Sequence, residues 1–265
     1  MFERSLRLTP FYQRGIRNAL DLRLTAFEVS LAGLPAAFDG YRILHVSDTH
    51  LDSLPAIADV AKRMLDGIEV DLLALTGDVH GLKWNPVSLS VDLLARALSG
   101  VRIRDRRLAI LGNHDPVDMP EALQHLGFET LVNRSVVLTR NGDSVRVTGL
   151  DDVHSFYTPE ARAALEAKAE GFRIALVHSA EMADHAAAAG YAFYLCGHTH
   201  GGQICLPGGR IVFTQLLRCR HAASGLWREG NMVGYTTTGL GVSSPTVRFN
   251  TRGEAALITL RCLRS

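Results

Sequence analysis

The sequence lacks several features that would assign it to a specialised class of protein. Its four cysteines show no Cys-x-x-Cys spacing, which disfavours a zinc knuckle or a thioredoxin-type site and favours reduced, structural thiols. It contains no stretch of 18 apolar residues, so a membrane-spanning helix is not predicted. The formal net charge is only +1, so composition gives no reason to predict a nucleic-acid partner.

The N-terminus also lacks the uninterrupted apolar core of a signal peptide, because Glu3, Arg4, Arg7 and Arg14 break it up. A cytoplasmic location is therefore expected. Residues 1–25 nevertheless mix apolar and aromatic side chains with several arginines. This composition allows two interpretations. The segment is either a peripheral contact with the inner face of an anionic membrane, or an arm packed on its own domain with its arginines in water.

No linker rich in proline, glycine or serine divides the 265 residues, of which 47% are apolar. This composition is typical of an ordinary globular protein, and the length suits a single α/β domain. We predict an N-terminal arm with an opening hairpin at residues 1–39, followed by one domain at residues 40–265.

Short apolar stretches rich in Val, Ile and Leu alternate with helical patterns along this domain. Alanine-rich helices are predicted at residues 159–169 and 180–189. A hairpin with an Asn-Gly-Asp turn is predicted at residues 136–149, and the C-terminal part is expected to be rich in strands, including residues 209–214. The alternation of strands and helices predicts an α/β fold with mixed sheets.

Residues of the kinds that bind metals follow five of the predicted strands. Ligands of open α/β sheets gather beyond the carboxyl ends of the strands, so these side chains are expected to meet despite their separation in sequence. They are Asp48, His50, Asp78, Asn113, His114, His178, His198 and His200.

Each of these residues alone has an ordinary structural explanation, such as an aspartate in a capped turn or a buried histidine with a hydrogen-bond partner. Burying all of them at apolar strand ends is costly unless they share a partner, and a pair of divalent cations provides one. Carboxylates, an amide oxygen and imidazoles together suit Mn, Fe, Zn or Co better than Ca or Mg. His198 and His200 are expected to point the same way from an extended strand end.

The motifs Asp-x-His, Gly-Asp, Gly-Asn-His-Asp, a single strand-end His and Gly-His-Thr-His occur in this order. In the identity and order of these motifs, residues from about 40 to 250 resemble the calcineurin-like metallophosphoesterases. The stretches GHTHGGQ, GLDD (residues 149–152) and GLGVSSPTVRF (residues 239–249) resemble one bacterial branch of that family. This branch includes phosphoesterases with broad activity on artificial phosphoesters and relatives that hydrolyse UDP-2,3-diacylglucosamine.

The resemblance implies a four-layer α/β/β/α sandwich of two mixed sheets and a dinuclear metal centre, with Mn the metal expected to work best in vitro. The implied reaction is hydrolysis of a phosphodiester or pyrophosphate bond by a hydroxide that bridges the metals. The implied roles are as follows: Asp48, His50 and His200 at the first metal, Asp78 as the bridge, Asn113, His178 and His198 at the second metal, and His114 as the general acid or transition-state stabiliser.

Two further residues receive roles from the same resemblance. Asp115 is expected to orient His114, and Gln203 is expected to contact substrate. One position departs from the family pattern, because Gly81 stands where many members have a carboxylate that can orient the catalytic histidine. The neighbouring His80 either faces the site or is an exposed loop residue, and the second interpretation is the expected one.

Several functions stay open at this point. The substrate could be a nucleotide-linked lipid such as UDP-2,3-diacylglucosamine, a cyclic nucleotide or a general phosphodiester. Two alternatives belong to other functional classes. They are a non-catalytic metal-binding scaffold and a mononuclear zinc hydrolase.

Overall fold

A computed structural model describes residues 9–153 and 158–263. Its twelve strands are β1 (Arg23–Leu31), β2 (Arg42–Val46), β3 (Glu69–Thr76), β4 (Arg102–Ile110), β5 (Glu129–Thr130), β6 (Arg134–Arg140), β7 (Asp143–Gly149), β8 (Phe172–Leu176), β9 (Phe193–Cys196), β10 (Gly225–Glu229), β11 (Met232–Thr236) and β12 (Glu254–Cys262). Its α-helices are α1 (Pro10–Ala19), α2 (Ala56–Leu65), α3 (Val87–Leu98), α4 (Met119–Gln124), α5 (Pro159–Glu166) and α6 (Ala183–Ala188).

The strands form two mixed sheets of six strands each. The first sheet has the order β1-β12-β2-β3-β4-β5, in which only the β12–β2 pair is antiparallel. The second sheet has the order β10-β11-β9-β8-β7-β6, in which the two outer pairs are antiparallel. The β6–β7 pair is the predicted hairpin, and Asn141 and Gly142 take positive φ at its turn.

Three layers of buried apolar side chains separate four layers of secondary structure. On β2, Leu44 packs towards α2 and α3, whereas Ile43 packs between the sheets. On β8, Ile174 lies between the sheets and Ala175 packs towards α5 and α6. Strands buried on both faces carry apolar residues at successive positions, which explains their continuous apolar sequence. The predicted four-layer α/β/β/α sandwich is confirmed.

The hairpin expected within residues 1–39 is not formed in the described part of this segment. Strand β1 pairs in parallel with the C-terminal strand β12 over nine residues, and β12 separates β1 from β2. The N-terminal segment is thus an edge strand of the first sheet. The pairing joins residues more than 230 positions apart, which no local pattern can reveal.

Helix α1 packs on the body of the domain through its small residues. Gly15 lies so close to the side chains of Val247 and Phe249 that a larger residue would have to displace them. The amide of Asn18 donates to the carbonyl of Arg248 at 2.9 Å. The opposite face exposes Phe11 together with basic residues. Contact of residues 1–25 with a membrane stays a prediction, and residues 1–8 of that segment lie outside the described residues.

The stretch 209–214 is not a strand, although its sequence is rich in β-branched and aromatic residues. Val212 and Phe213 are 68% and 70% exposed and lie in a long loop between β9 and β10. β-propensity needs a neighbouring strand and a buried face to take effect, and this loop has neither. Within the described ranges, no helix is long and apolar enough to cross a membrane.

Candidate metal centre

The two sheets bring the ends of five strands to one edge of the sandwich. Strands β2, β3 and β4 are parallel neighbours in the first sheet, and β8 and β9 are parallel neighbours in the second. Two contacts tie the sheets together there. The Nδ1 of His178 lies 2.8 Å from the carbonyl of Thr76, and the backbone N–H of His198 lies 3.0 Å from each carboxylate oxygen of Asp48.

Six of the predicted ligands form two adjacent groups, each with its ligand atoms within 4.8 Å of one another. In the first group, Nε2 of His200 lies 3.5 Å from Oδ1 of Asp48, and the rings of His200 and His50 stack at 5.1 Å. In the second group, Nε2 of His178 lies 3.4 Å from Oδ2 of Asp78 and 3.2 Å from Nδ1 of His198.

Asp78 links the two groups. Its Oδ2 atom lies 3.4 Å from Nε2 of His50 in the first group, the same distance as from His178 in its own group. Its other oxygen accepts the backbone N–H of His114 at 2.9 Å. One carboxylate therefore faces both groups and is itself held in place by the loop that carries His114.

The outer nitrogens of two histidines are tied to the backbone. Nδ1 of His50 donates to the carbonyl of His80 at 2.7 Å, and Nδ1 of His178 donates to the carbonyl of Thr76 at 2.8 Å. These bonds orient each ring so that its Nε2 faces the carboxylates. Metal-binding histidines are commonly oriented in this way.

These side chains suit bound cations better than they satisfy one another by hydrogen bonds and charge. Asp48 and Asp78 are both buried, and two carboxylates in such proximity need compensating positive charge. Oδ1 of Asn113 and Nδ1 of His200 are also buried and have no hydrogen-bond partner among the described residues. Buried polar atoms of this kind normally have a partner, and an amide oxygen beside imidazoles and carboxylates is a suitable ligand for a divalent transition metal.

The side chains partly compensate one another electrostatically. Burial opposes ionisation of Asp78, but the His178 and His50 rings hold its pKa well below the usual value. Burial likewise opposes a charge on His178, but Asp78 and Asp48 raise its pKa well above the usual value. For Asp48, burial raises the pKa, and the neighbouring charge of Asp78 acts in the same direction. The two buried carboxylates thus depend on neighbouring positive charge to stay ionised.

Backbone strain is concentrated at these residues. Five of the predicted ligands have positive φ, a region that side chains rarely adopt, and they are Asp48 (48°), His50 (35°), Asp78 (54°), His198 (70°) and His200 (52°). Such strain persists only where the surroundings enforce it, and it is frequent at functional sites. Close glycines help to enforce it, because a Cβ at Gly197 would collide with the carboxylate of Asp48 and the hydroxyl of Ser47.

The same strain corrects one prediction about the Gly-His-Thr-His motif. His198 and His200 do not lie on an extended strand end, because His198 has φ of 70° and His200 begins a 3-10 turn with φ of 52°. The turn places the two rings in different ligand groups. His200 joins Asp48 and His50, whereas His198 joins Asp78 and His178.

His114 lies at the rim of the centre. Its ring packs edge-on to that of His50 at 5.0 Å and is only partly buried. Burial lowers its pKa. A partly exposed histidine beside the ligands is accessible to substrate and can hold a proton or a hydrogen bond there.

Asp115 has a different role from the predicted one of orienting His114. Its carboxylate accepts four backbone N–H groups at 2.8–3.0 Å, from Gly112 and from the three residues 78–80. Burial raises its pKa to about 6. Asp115 therefore clamps the loop after β3 to the loop after β4, and it positions Asp78 rather than the His114 ring.

His80 is buried at 3% exposure, which corrects the expectation of an exposed loop residue. Its Nδ1 lies 3.0 Å from the hydroxyl of Ser90 on α3. A carboxylate could not replace the adjacent Gly81 without movement, since its Cβ would lie 2.9 Å from the Asp52 carboxylate and still closer to Ser53. Asp52 instead accepts the backbone N–H groups of Gly81 and Leu82, both at 2.8 Å, a role that no sequence motif indicates.

Gln203 does not have a free amide for substrate, which corrects the predicted contact. Its Nε2 donates to the carbonyls of Ser243 and Pro245 at 3.0 and 2.8 Å, and its Oε1 accepts the N–H of Ser243 at 3.0 Å. These bonds link the end of the GHTHGGQ stretch to the GLGVSSPTVRF stretch. Both stretches can be identified from their sequence motifs, but the hydrogen bonds that join them cannot.

Arg248, in the second of these stretches, was missed as a site residue. It is fully buried, and its guanidinium donates to the carbonyls of His200 (2.9 Å), Thr238 (2.6 Å), Gly239 (3.2 Å) and Gly241 (2.8 Å). The N–H of Gly241 in turn donates to the carbonyl of Asp48 at 2.8 Å. Arg248 therefore holds the backbone of two predicted ligands of the first group, His200 directly and Asp48 through Gly241.

Comparison with known proteins agrees with this geometry. A family model for calcineurin-like phosphoesterases matches residues 41–202. The chain belongs to this family. It is 28% identical to YkoQ of Bacillus subtilis (strain 168), an uncharacterized metallophosphoesterase, over 94% of each chain. It is 27% identical to phosphodiesterase YaeI of Escherichia coli (strain K12), over 83% of this chain and 82% of that one.

A further relative is YkuE of Bacillus subtilis (strain 168), an uncharacterized metallophosphoesterase, with 27% identity over 91% of this chain and 86% of that one. Among solved structures, phosphopantetheinyl hydrolase PptH of Mycobacterium tuberculosis matches 78% of this chain and 91% of that one, with 13% identity and a TM-score of 0.45. The predicted family and branch are confirmed, and the chain is a phosphoric ester hydrolase with two groups of candidate metal ligands.

Proposed function

We propose that this protein hydrolyses a phosphodiester or pyrophosphate bond with two divalent cations, for which Mn is the first choice in vitro. One observation carries the proposal: two groups of buried ligands lie side by side, and the Asp78 carboxylate faces both. The first cation is assigned to Asp48, His50 and His200, and the second to Asn113, His178 and His198. The name of the phosphodiesterase YaeI supports the phosphodiester as the bond that is hydrolysed.

Cations bound here would polarise the phosphoryl oxygens and acidify a water for attack on phosphorus. The chain supplies the remaining functions. Asp78 and the backbone-tied histidines fix the spacing of the ligands. His114, at the rim and anchored through its N–H to Asp78, is placed to hold the proton that the leaving oxygen needs.

Replacement of His114 tests this assignment. His114→Ala is expected to lower kcat/KM for an artificial bis-aryl phosphodiester by roughly 10²–10⁴-fold, the usual contribution of a general acid. Its metal content should stay at the parental level because His114 is not assigned as a ligand. His125→Ala removes an exposed histidine from the end of α4 and should leave the rate unchanged.

A parental rate in His114→Ala would contradict the mechanism. If the parent binds metal and hydrolyses no phosphodiester at all, the alternative of a non-catalytic metal-binding scaffold gains support. The two results can be told apart, because the first is the rate of the His114→Ala variant and the second is the rate of the parent.

Of these two bond classes, the pyrophosphate bond of a nucleotide-linked lipid such as UDP-2,3-diacylglucosamine is the proposed target. Apolar side chains exposed on loops after the ligand-bearing strands support it. Trp84 is 80%, Phe213 is 70% and Leu217 is 86% exposed. A cyclic nucleotide offers no acyl chains to such residues. A screen of UDP-2,3-diacylglucosamine, cyclic nucleotides and simple phosphodiesters, on one preparation, decides between these substrates.

A further inference from the structure

Two arginines lie side by side on the outer face of the second sheet. Arg146 of β7 and Arg173 of β8 are partners in the parallel register of these strands. Partners in register project to the same face, and like charges placed in this way destabilise a sheet unless something compensates them. The pair therefore calls for a negative partner.

The arginines line a small cavity of about 190 Å³ under the C-terminal end of α5. Its polar lining is cationic or hydroxylic, and the rest of its wall is alanine; the polar residues are Ser135, Arg146, Thr148, Lys168, Arg173 and Tyr191. No carboxylate is among the described residues that line it. We call this cavity the arginine pocket.

The donors of the arginine pocket are only partly used. Arg173 is 7% exposed, and its guanidinium lies over the ring of Tyr191 at 4.6 Å. Its terminal nitrogens donate to the carbonyls of Ala167, at 3.2 Å, and Ala189. Yet the Nε atoms of Arg173 and Arg146 are both buried without a hydrogen-bond partner among the described residues. A buried cationic donor without an acceptor is costly.

The hydroxyl groups form a short chain beside these cations. Tyr191 donates to the hydroxyl of Thr148 at 2.8 Å, and the hydroxyls of Thr148 and Ser135 are 2.8 Å apart. Burial raises the pKa of Tyr191, and the hydrogen bond to Thr148 and the charges of Arg173 and Arg146 act against that rise. Both arginines and the hydroxyl chain line the same cavity. Hydroxyls can donate to the oxygens of an anion that the arginines bind.

We propose that the arginine pocket binds a small, doubly charged oxyanion, either inorganic phosphate or the terminal phosphate of a phosphomonoester. The volume suits one tetrahedral group, and guanidinium groups match its oxygens in geometry and charge. The pocket is separate from the metal centre. Arg173 and His178 stand near opposite ends of β8, five residues apart, which corresponds to about 16 Å of extended chain.

Isothermal titration of the full-length, chelator-treated protein tests the proposal. Inorganic phosphate and glycerol 3-phosphate are titrated into the parent, Arg146→Gln and Arg63→Gln. Arg146 is the residue to replace because Arg173 also binds backbone carbonyls and its loss would disturb folding. Arg63 is an exposed arginine of α2 and serves as the matched control. Arg146→Gln is expected to weaken binding at least about tenfold, whereas Arg63→Gln should bind as the parent does.

Equal affinity in Arg146→Gln and the parent would overturn the proposal, and so would a parent that binds neither anion. Tighter binding of inorganic phosphate identifies free phosphate as the ligand, and tighter binding of glycerol 3-phosphate identifies a phosphomonoester. Since no metal is present in these titrations, the outcome does not depend on the proposed phosphodiesterase activity.

Discussion

Asp78→Asn is expected to lower kcat/KM for a bis-aryl phosphodiester by roughly a thousandfold or more, the equivalent of several kcal/mol of charge stabilisation. The physical reason is the shared position of this carboxylate. Its Oδ2 atom lies 3.4 Å from a histidine of each ligand group. An amide keeps the shape and removes the negative charge that the proposed bridge between the cations needs. The rate is measured with saturating Mn²⁺.

The matched control is Asp92→Asn, which changes an exposed aspartate of α3 and should keep the parental rate. The thermal midpoint adds a readout that does not depend on turnover. A cation that binds only the folded state raises the midpoint, so Mn²⁺ should stabilise the parent and Asp92→Asn much more than Asp78→Asn. Parental activity in Asp78→Asn would show that this residue does not bridge a metal pair.

Arg248→Met is expected to destabilise the metal-free protein by about 3 kcal/mol or more. The substitution keeps an unbranched side chain of similar length and removes the donors that bind the carbonyls of His200, Thr238, Gly239 and Gly241. Each buried carbonyl left without a donor costs about 1–3 kcal/mol. Burial lowers the pKa of Arg248 only to about 10, so the charge is present at neutral pH.

Urea unfolding of the chelator-treated protein measures this effect, and Arg63→Met provides the control for loss of an exposed arginine. The affinity for Mn²⁺ should also fall in Arg248→Met, because the turn that carries His200 loses its support. A variant with unchanged unfolding midpoint and unchanged Mn²⁺ affinity would contradict this positioning role.

Much of the centre could be predicted because the ligands follow simple rules. Asp48, Asp78 and His178 each come directly after a buried strand, and parallel strands deliver such residues to a common edge. The sharing of Asp78 between two groups came from the family resemblance, since nothing in its local sequence distinguishes a bridge from an ordinary ligand.

The remaining features depend on contacts between distant parts of the chain. The carbonyls that Arg248 binds, the Gln203 amide pairing with residues 243–245, and the β1–β12 pairing each join segments that no periodicity connects. The left-handed backbone of His198 and His200 is imposed by packing around the motif and is not a preference of histidine. For the same reason, the β-rich sequence at 209–214 stays a loop without a strand beside it.

The metal content of the protein tests the central claim most directly. Two samples are compared: protein purified without chelators and protein reconstituted with Mn²⁺. For each sample, the metal content per chain and the phosphodiesterase rate are measured. The account predicts two equivalents per chain at full activity, with the rate rising as the second equivalent binds. Full activity at a single equivalent, as a mononuclear zinc hydrolase would show, would contradict it.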